Sequence, residues 1–235
     1  MVETVRIVMG ETCVDVTADA RFLRLAEPAA AEARRAVESR IAEDPFFGTT
    51  YSPYPASPGD HPVVRSMCEA SVAASVGPMA AVAGAIASHV VEAMREAGCA
   101  YAIADNGGDV AVLSDREISV GIGTGDPGMP AFAISVGPTD GIVGVCSSSA
   151  RVGHSVSLGG SDVCTVVAED VALADACATA LGNMAGSGAD LGESAERIRS
   201  IPGVVGCLAV AGGKVSVCGD IRIRPLRALS ALSAF

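Results

Sequence analysis

Ala102 to Val112 reads A-I-A-D-N-G-G-D-V-A-V, and Leu208 to Val217 reads L-A-V-A-G-G-K-V-S-V. Each is a pair of alternating apolar runs around a Gly-Gly turn, the pattern of a β-hairpin. Each is followed by an Asp and a second short alternating run, Ile118-Ser119-Val120 or Ile221-Arg222-Ile223. Each is preceded by an Ala-rich stretch with helical spacing. The repeat predicts an α+β fold in which two related halves, each a helix plus antiparallel strands, form one compact domain over residues 1–235, with an internal duplication of about 77–122 and 171–224. Chance similarity between two Gly/Val-rich hairpins is the competing reading.

The rest of the chain fits that frame. Val5 to Val16 alternates as a strand or hairpin, and Glu27 to Glu43 is a charged, Ala-rich helix stopped by Pro45. Residues 44–62 hold five prolines and four of the chain's eight aromatics, Phe46, Phe47, Tyr51 and Tyr54, so they read as a long loop. Gly77-Pro78 opens a helix over about 79–97 that Gly98 ends. Ala131 to Val136 and Val163 to Ala168 are strands. Gly141 to Gly160 is a Ser/Gly-rich loop around His154. Val171 to Met184 and Glu193 to Ser200 are helices.

Composition restricts function. Half of the 235 residues are apolar, only 3% are aromatic, and Trp is absent, so the core is built from small side chains that must pack closely. The net charge is −11 and Lys214 is the only lysine, which excludes a phosphate-binding basic stripe and argues against nucleic acid. Residues 70–91 carry no Asp, Glu, Lys or Arg, about the length of a membrane span. Their Ala, Ser and Gly content, with Pro78 and His89 inside, reads instead as a buried helix and no membrane association. Met1 to Asp19 has scattered acidic residues and does not read as a signal peptide, so a cytoplasmic protein with reduced thiols is expected. Its eight cysteines form no C-x-x-C pair.

The candidate chemistry is sparse. Gly121-Ile122-Gly123-Thr124-Gly125 follows a strand but runs into Asp126-Pro127-Gly128, which cannot open the helix that a dinucleotide fingerprint requires. Gly212-Gly213-Lys214 lacks the Ser or Thr of a phosphate loop. Asp175 and Thr179, four apart on a helix, point from one face and could hold Mg²⁺. A capping Asp and a Thr bonded to its own helix are the alternative. Ser147-Ser148-Ser149, Arg151 and His154 suit an anionic ligand, or form a plain surface loop. His61 and His89 read as structural.

Taken together, Gly77-Pro-Met-Ala-Ala-Val-Ala-Gly84, the Asp105-Asn-Gly-Gly-Asp109 turn, Ser147-Ser-Ser with Gly153-His154-Ser155, and Ala174-Asp175-Ala-Cys-Ala-Thr179 resemble an uncharacterised prokaryotic branch of the ApbE superfamily. Its characterised relatives are FAD:protein FMN transferases, which cleave Mg²⁺-bound FAD and attach FMN to a Thr or Ser of an acceptor protein. The resemblance implies Mg²⁺ at Asp175 and Thr179, a catalytic role for Asp175 and His154, and FAD or FMN, or a related nucleotide, against Gly107, Gly108, Asp109, Ser147, Ser148, Ser149 and His154. The aromatics of residues 44–62 could then stack on a planar ring, or only cover the core. The transferases' G-G-x-A-K-G segment has no lysine here, and their D-P-x-T-G loop is replaced by Ser155 to Val163. Those departures keep open a non-enzymatic flavin- or metabolite-binding or assembly protein. The branch's association with sulfide assimilation raises a persulfide carrier, with Cys146 the better-placed thiol. A homodimer is compatible with so apolar a chain.

Overall fold

A computed structural model describes residues 1–123, 131–149, 162–186 and 190–226. Strands β1 (Val2–Met9) and β2 (Thr12–Asp19) form a hairpin, followed by a short helix α1 (Ala20–Leu23) and α2 (Ala26–Glu43). After the Pro-rich loop come α3 (Pro62–Ala74), a 3₁₀ turn (Pro78–Ala81) and α4 (Val82–Glu96). Strands β3 (Ala102–Asp105), β4 (Asp109–Leu113), β5 (Ile118–Ile122), β6 (Ala131–Val136), β7 (Val143–Ser148) and β8 (Val163–Ala168) follow. The helices α5 (Val171–Gly186) and α6 (Leu191–Arg199) then precede β9 (Val204–Ala211), β10 (Lys214–Gly219) and β11 (Arg222–Leu226).

An eight-stranded sheet runs β1-β2-β3-β4-β7-β8-β9-β10, and a three-stranded sheet runs β11-β6-β5. Every pairing is antiparallel. The strands alternate between two cores. Ala104, Ala111, Cys146, Cys164, Val166 and Ala209 face the helical layer. Val110, Val112, Val145, Val167, Leu208 and Val210 pack on Ile122, Ile134 and Val136 of the small sheet. The central strands are therefore buried on both faces and read as near-continuous apolar runs.

The fold is mixed helix and antiparallel sheet, as the sequence predicts, with two revisions. The uncharged stretch at 70–91 is not one helix. Ser75 turns left-handed at φ 58°, and the segments on either side meet at 108°. Among the described residues no single helix is long and apolar enough to cross a membrane. The predicted loop at 141–160 is also wrong in its first part, because residues 143–148 are the central strand β7. Small residues, misread as loop formers, let α5 sit close on that strand. A Cβ on Gly144 would lie 2.7 Å from Val171 Cα and 2.8 Å from Ala174 Cβ.

The Pro-rich loop is a loop, and its aromatics divide. Phe47 is fully buried, edge-on to Tyr54 at 5.4 Å. The Tyr54 hydroxyl donates to Asp44 and accepts from Arg40 Nη2 at 2.6 Å. Those two rings cover the core. Phe46 and Tyr51 are exposed. The loop is held to the start of the 3₁₀ turn, where a Cβ on Gly77 would fall 2.0 Å from the Thr50 carbonyl oxygen.

Candidate functional site

The site begins at the N-terminus of α4. Its first amides need acceptors, and no side chain of its own N-cap supplies one. The acceptor comes from α5: Gly84 N donates to Asp175 Oδ2 at 2.8 Å, and the Ala83 amide also favours the ionised Asp175. The close approach depends on Gly84, since a Cβ there would meet Val171 O at 2.6 Å and Asp175 Cβ at 2.9 Å. The first Gly-Gly turn is tied to the same place. Asn106 Nδ2 donates to Ala83 O at 3.1 Å, and Asp105 Oδ1 accepts from Gly108 N at 2.8 Å. Gly107 and Gly108 take φ +73° and +102°, conformations suited to glycine.

That turn delivers Asp109, the first residue of β4, onto the helical face opposite Cys146. Asp109 and Asp175 are both buried and interact electrostatically. Burial pushes both carboxyls up, Asp175 to about 7, and the neighbouring Asp175 charge adds to the rise at Asp109. The Ser147 amide and Cys146 thiol pull Asp109 the other way, but its Oδ1 is buried without a hydrogen-bond partner. Two adjacent buried carboxyls with an unsatisfied oxygen at a helix N-terminus are a costly arrangement for stability alone.

Thr179 lies one turn beyond Asp175 on α5 and is half-buried. Among the described residues no group of three or more His, Cys, Asp or Glu side chains could hold a metal ion. A cation here would take its other donors from hydroxyl, backbone and ligand oxygens. That set fits Mg²⁺, which needs only one or two carboxylates when phosphate oxygens and waters complete its shell.

The three serines separate. Ser147 Oγ pairs with Thr165 Oγ1 at 2.9 Å on the face toward the small sheet. Ser149 Oγ donates to the Asp162 carbonyl at 2.6 Å. Only Ser148 falls on the helical face with Asp109 and Cys146, and its buried Oγ has no partner. The Gly108 amide is already engaged by Asp105. His154, with Arg151, lies outside the described residues. Cys146 is fully buried, and desolvation with two nearby carboxyls pushes its thiol up. It is therefore a poor nucleophile, which argues against the persulfide role. Cys177 is likewise buried and pushed up to about 12. His61 and His89 sit 3.4 and 3.7 Å from Glu32 Oε1, where they join α3 and α4 to α2. Burial lowers the His89 pKa.

Sequence reasoning missed Asn183, whose buried Oδ1 also lacks a partner. Its spacing, eight residues beyond Asp175 on the same helix, was the available signal. A surface depression of about 330 Å³ lies by Ser66, Glu69, Asp170 and Ile201, and neither carboxylate lines it.

Residues 3–197 match the model of a family described as "AbpE bacteria". Curated relatives named only "UPF0280 protein" include one from Methanocella arvoryzae, 43% identical over 94% of this chain and 90% of its own length. Another, from Methanothrix thermoacetophila, is 46% identical over 85% of this chain and 84% of its own. Among solved structures, the flavin transferase ApbE from Vibrio cholerae superposes with a TM-score of 0.58 at 12% identity, covering 94% of this chain and 98% of that one. The ApbE protein from Thermotoga maritima gives 0.59 at 14% identity, covering 94% and 97%. The solved structures establish the fold alone, while the family model and the close relatives establish that this chain belongs to the AbpE bacteria family, with an ApbE-like architecture.

Proposed function

We propose that the chain binds a flavin nucleotide, FAD or FMN, together with Mg²⁺ where the α4 N-terminus, the Asp109 turn and α5 meet, and that it acts in flavin transfer. The observation that carries this reading is the buried Asp109–Asp175 pair, with its orphaned Asp109 Oδ1, beside Thr179. A divalent cation would offset the repulsion and give the orphan a partner. Asp175 and Thr179 would hold Mg²⁺, whose contribution is Lewis-acid polarisation of a phosphate oxygen. Asp109 would orient or accept from the same ligand shell. The α4 N-terminus, facing these groups, favours negative charge through its dipole. The exposed Phe46 and Tyr51, on the loop pinned beside the 3₁₀ turn, are the aromatics free to meet a planar ring. This reading takes the protein to be cytoplasmic, in keeping with its eight free thiols.

The test is FAD titration by calorimetry with and without Mg²⁺, with chromatographic detection of released AMP. Mg²⁺-dependent binding that Asp175→Ala abolishes supports the reading. No binding at millimolar FAD overturns it. A second reading, a flavin or metabolite binder without transfer, is favoured by the absence of lysine from Gly77 to Gly84. Binding without AMP release, little changed in Asp175→Ala, would select it.

A further inference from the structure

Helix α5 is buried almost throughout, as its run of apolar residues requires. Between Val171 and Ala185 only Thr179, Asn183 and Met184 are half-buried. Thr179 and Asn183 continue the line of Asp175 at intervals of four, so the accessible edge of α5 is a polar stripe that starts at the carboxylate pair. Asn183 Oδ1, at the far end of this stripe, is buried with no hydrogen-bond partner.

A second orphan belongs to the strand under the helix. Gly144 lies against Val171 and Ala174. Cys146, two residues on, reaches the Val171 carbonyl at 3.5 Å and interacts with Asp175. Strand and helix therefore advance in the same direction, about 6.7 Å per two strand residues and about 6 Å per four helix residues. Ser148, on the same strand face and only 5% exposed, comes level with the Thr179 turn, and its Oγ has no partner. Three unsatisfied buried oxygens, Asp109 Oδ1, Ser148 Oγ and Asn183 Oδ1, thus fall on the paired strands β4 and β7 and on α5, which packs over them. Native structures leave few such atoms, and each is costly unless a ligand or water completes it.

We infer that Ser148 and Asn183 are ligand-binding residues forming a second, uncharged end of the site, about 12 Å along α5 from Asp175. They would take the hydroxyl- or N–H-bearing portion of a ligand whose phosphate sits at the carboxylate end. Asn183 Oδ1 accepts only, so the ligand group facing it must donate. Ser148 can donate or accept. The inference rests on the reading of a Mg²⁺-bound phosphate ligand above and assigns which residues read the other end of that ligand.

Ser148→Ala and Asn183→Leu test it in the full chain, by thermal melting without ligand and by calorimetry with FAD, FMN and ATP, each with Mg²⁺. An orphaned polar atom contributes nothing to the free fold, so both variants should melt at the wild-type temperature or a few degrees above it. Affinity for whichever probe the wild type binds should fall about tenfold per lost hydrogen bond. Variants that melt lower yet bind within twofold of wild type overturn the inference, because those groups would then be structural. If FAD or FMN binds wild type and both variants equally, the inference fails while the flavin reading stands. If only ATP binds, and the variants weaken it, the flavin reading fails and the second end stands. No binding of any of the three probes overturns the inference.

Discussion

Two Gly-Gly hairpins in this chain look alike and end up in different surroundings. β3–β4 is interior to the eight-stranded sheet, and every residue of β4 is buried. β9–β10 ends the sheet, with Val215 and Val217 of β10 exposed. The first turn is fastened to α4 through Asn106 and brings Asp109 against α5. The second turn takes φ +56° and +76° at Gly212 and Gly213, donates its Gly212 amide to Asp162 Oδ2 at 3.1 Å rather than to a helix, and leads into the exposed Lys214. Both hairpins are followed by a strand that crosses to the small sheet, β5 and β11, on opposite sides of β6. We propose that this shared course reflects the internal duplication. A local code for a tight turn makes a hairpin in either place; a site arises only where helices close over the turn.

The contrast can be broken most strongly at its close contacts. Gly84→Ala should cost about 2–3 kcal/mol by forcing α4 from α5. Gly212→Ala, with open space around it, should cost only the left-handed backbone strain of about 1 kcal/mol. Urea titration of both variants measures the difference, and equal losses would remove the asymmetry. Next come the strands. Val112→Ala, fully buried in β4, should lose about 1.5–2 kcal/mol, and Val217→Ala in β10 under 0.5 kcal/mol.

Charge gives an effect of the opposite sign. Asp109→Asn removes a buried like-charge neighbour of Asp175 and should raise the melting temperature at pH 7 by a few degrees, while Lys214→Gln leaves it unchanged. A lower melting temperature for Asp109→Asn would show that the pair is structural.

The smallest effect is one of pH. The helix over the first hairpin, α4, carries His89, packed near Glu32, His61 and Glu96, and burial holds its pKa below the usual value of about 6.5. A histidine whose folded pKa is depressed contributes fully above the unfolded value, and stability falls as pH drops below about 6.5. Amide protection, corrected for the intrinsic exchange rate at each pH, should therefore fall in α4 before α6 between pH 6.5 and 5.5, and His89→Gln should flatten that dependence. Loss of protection first in α6 would contradict it.

Much of this was legible in the residues. Alternation and Gly-Gly turns specify the hairpins, helical spacing specifies α2, α5 and α6, and Asp175 and Thr179 are visible as neighbours on one face. The Pro-rich loop was readable as a loop, but not which aromatics it buries. The serine-rich stretch misled because Ser and Gly favour loops when nothing covers them. In β7 they are strand residues, since neighbouring strands satisfy the backbone and α5 needs small side chains beneath it.

Local backbone preference and apolar periodicity, which act over a few residues, determined the antiparallel hairpins and most element types from sequence alone, but not β7. Tertiary structure decided the rest. It brought Asp109 to Asp175 across 66 positions and lent α4 a cap from another helix. It also left Ser148 and Asn183 without partners. Burial and desolvation are properties of the packed layers, so no spacing along the chain could reveal which polar atoms would be left waiting for a ligand.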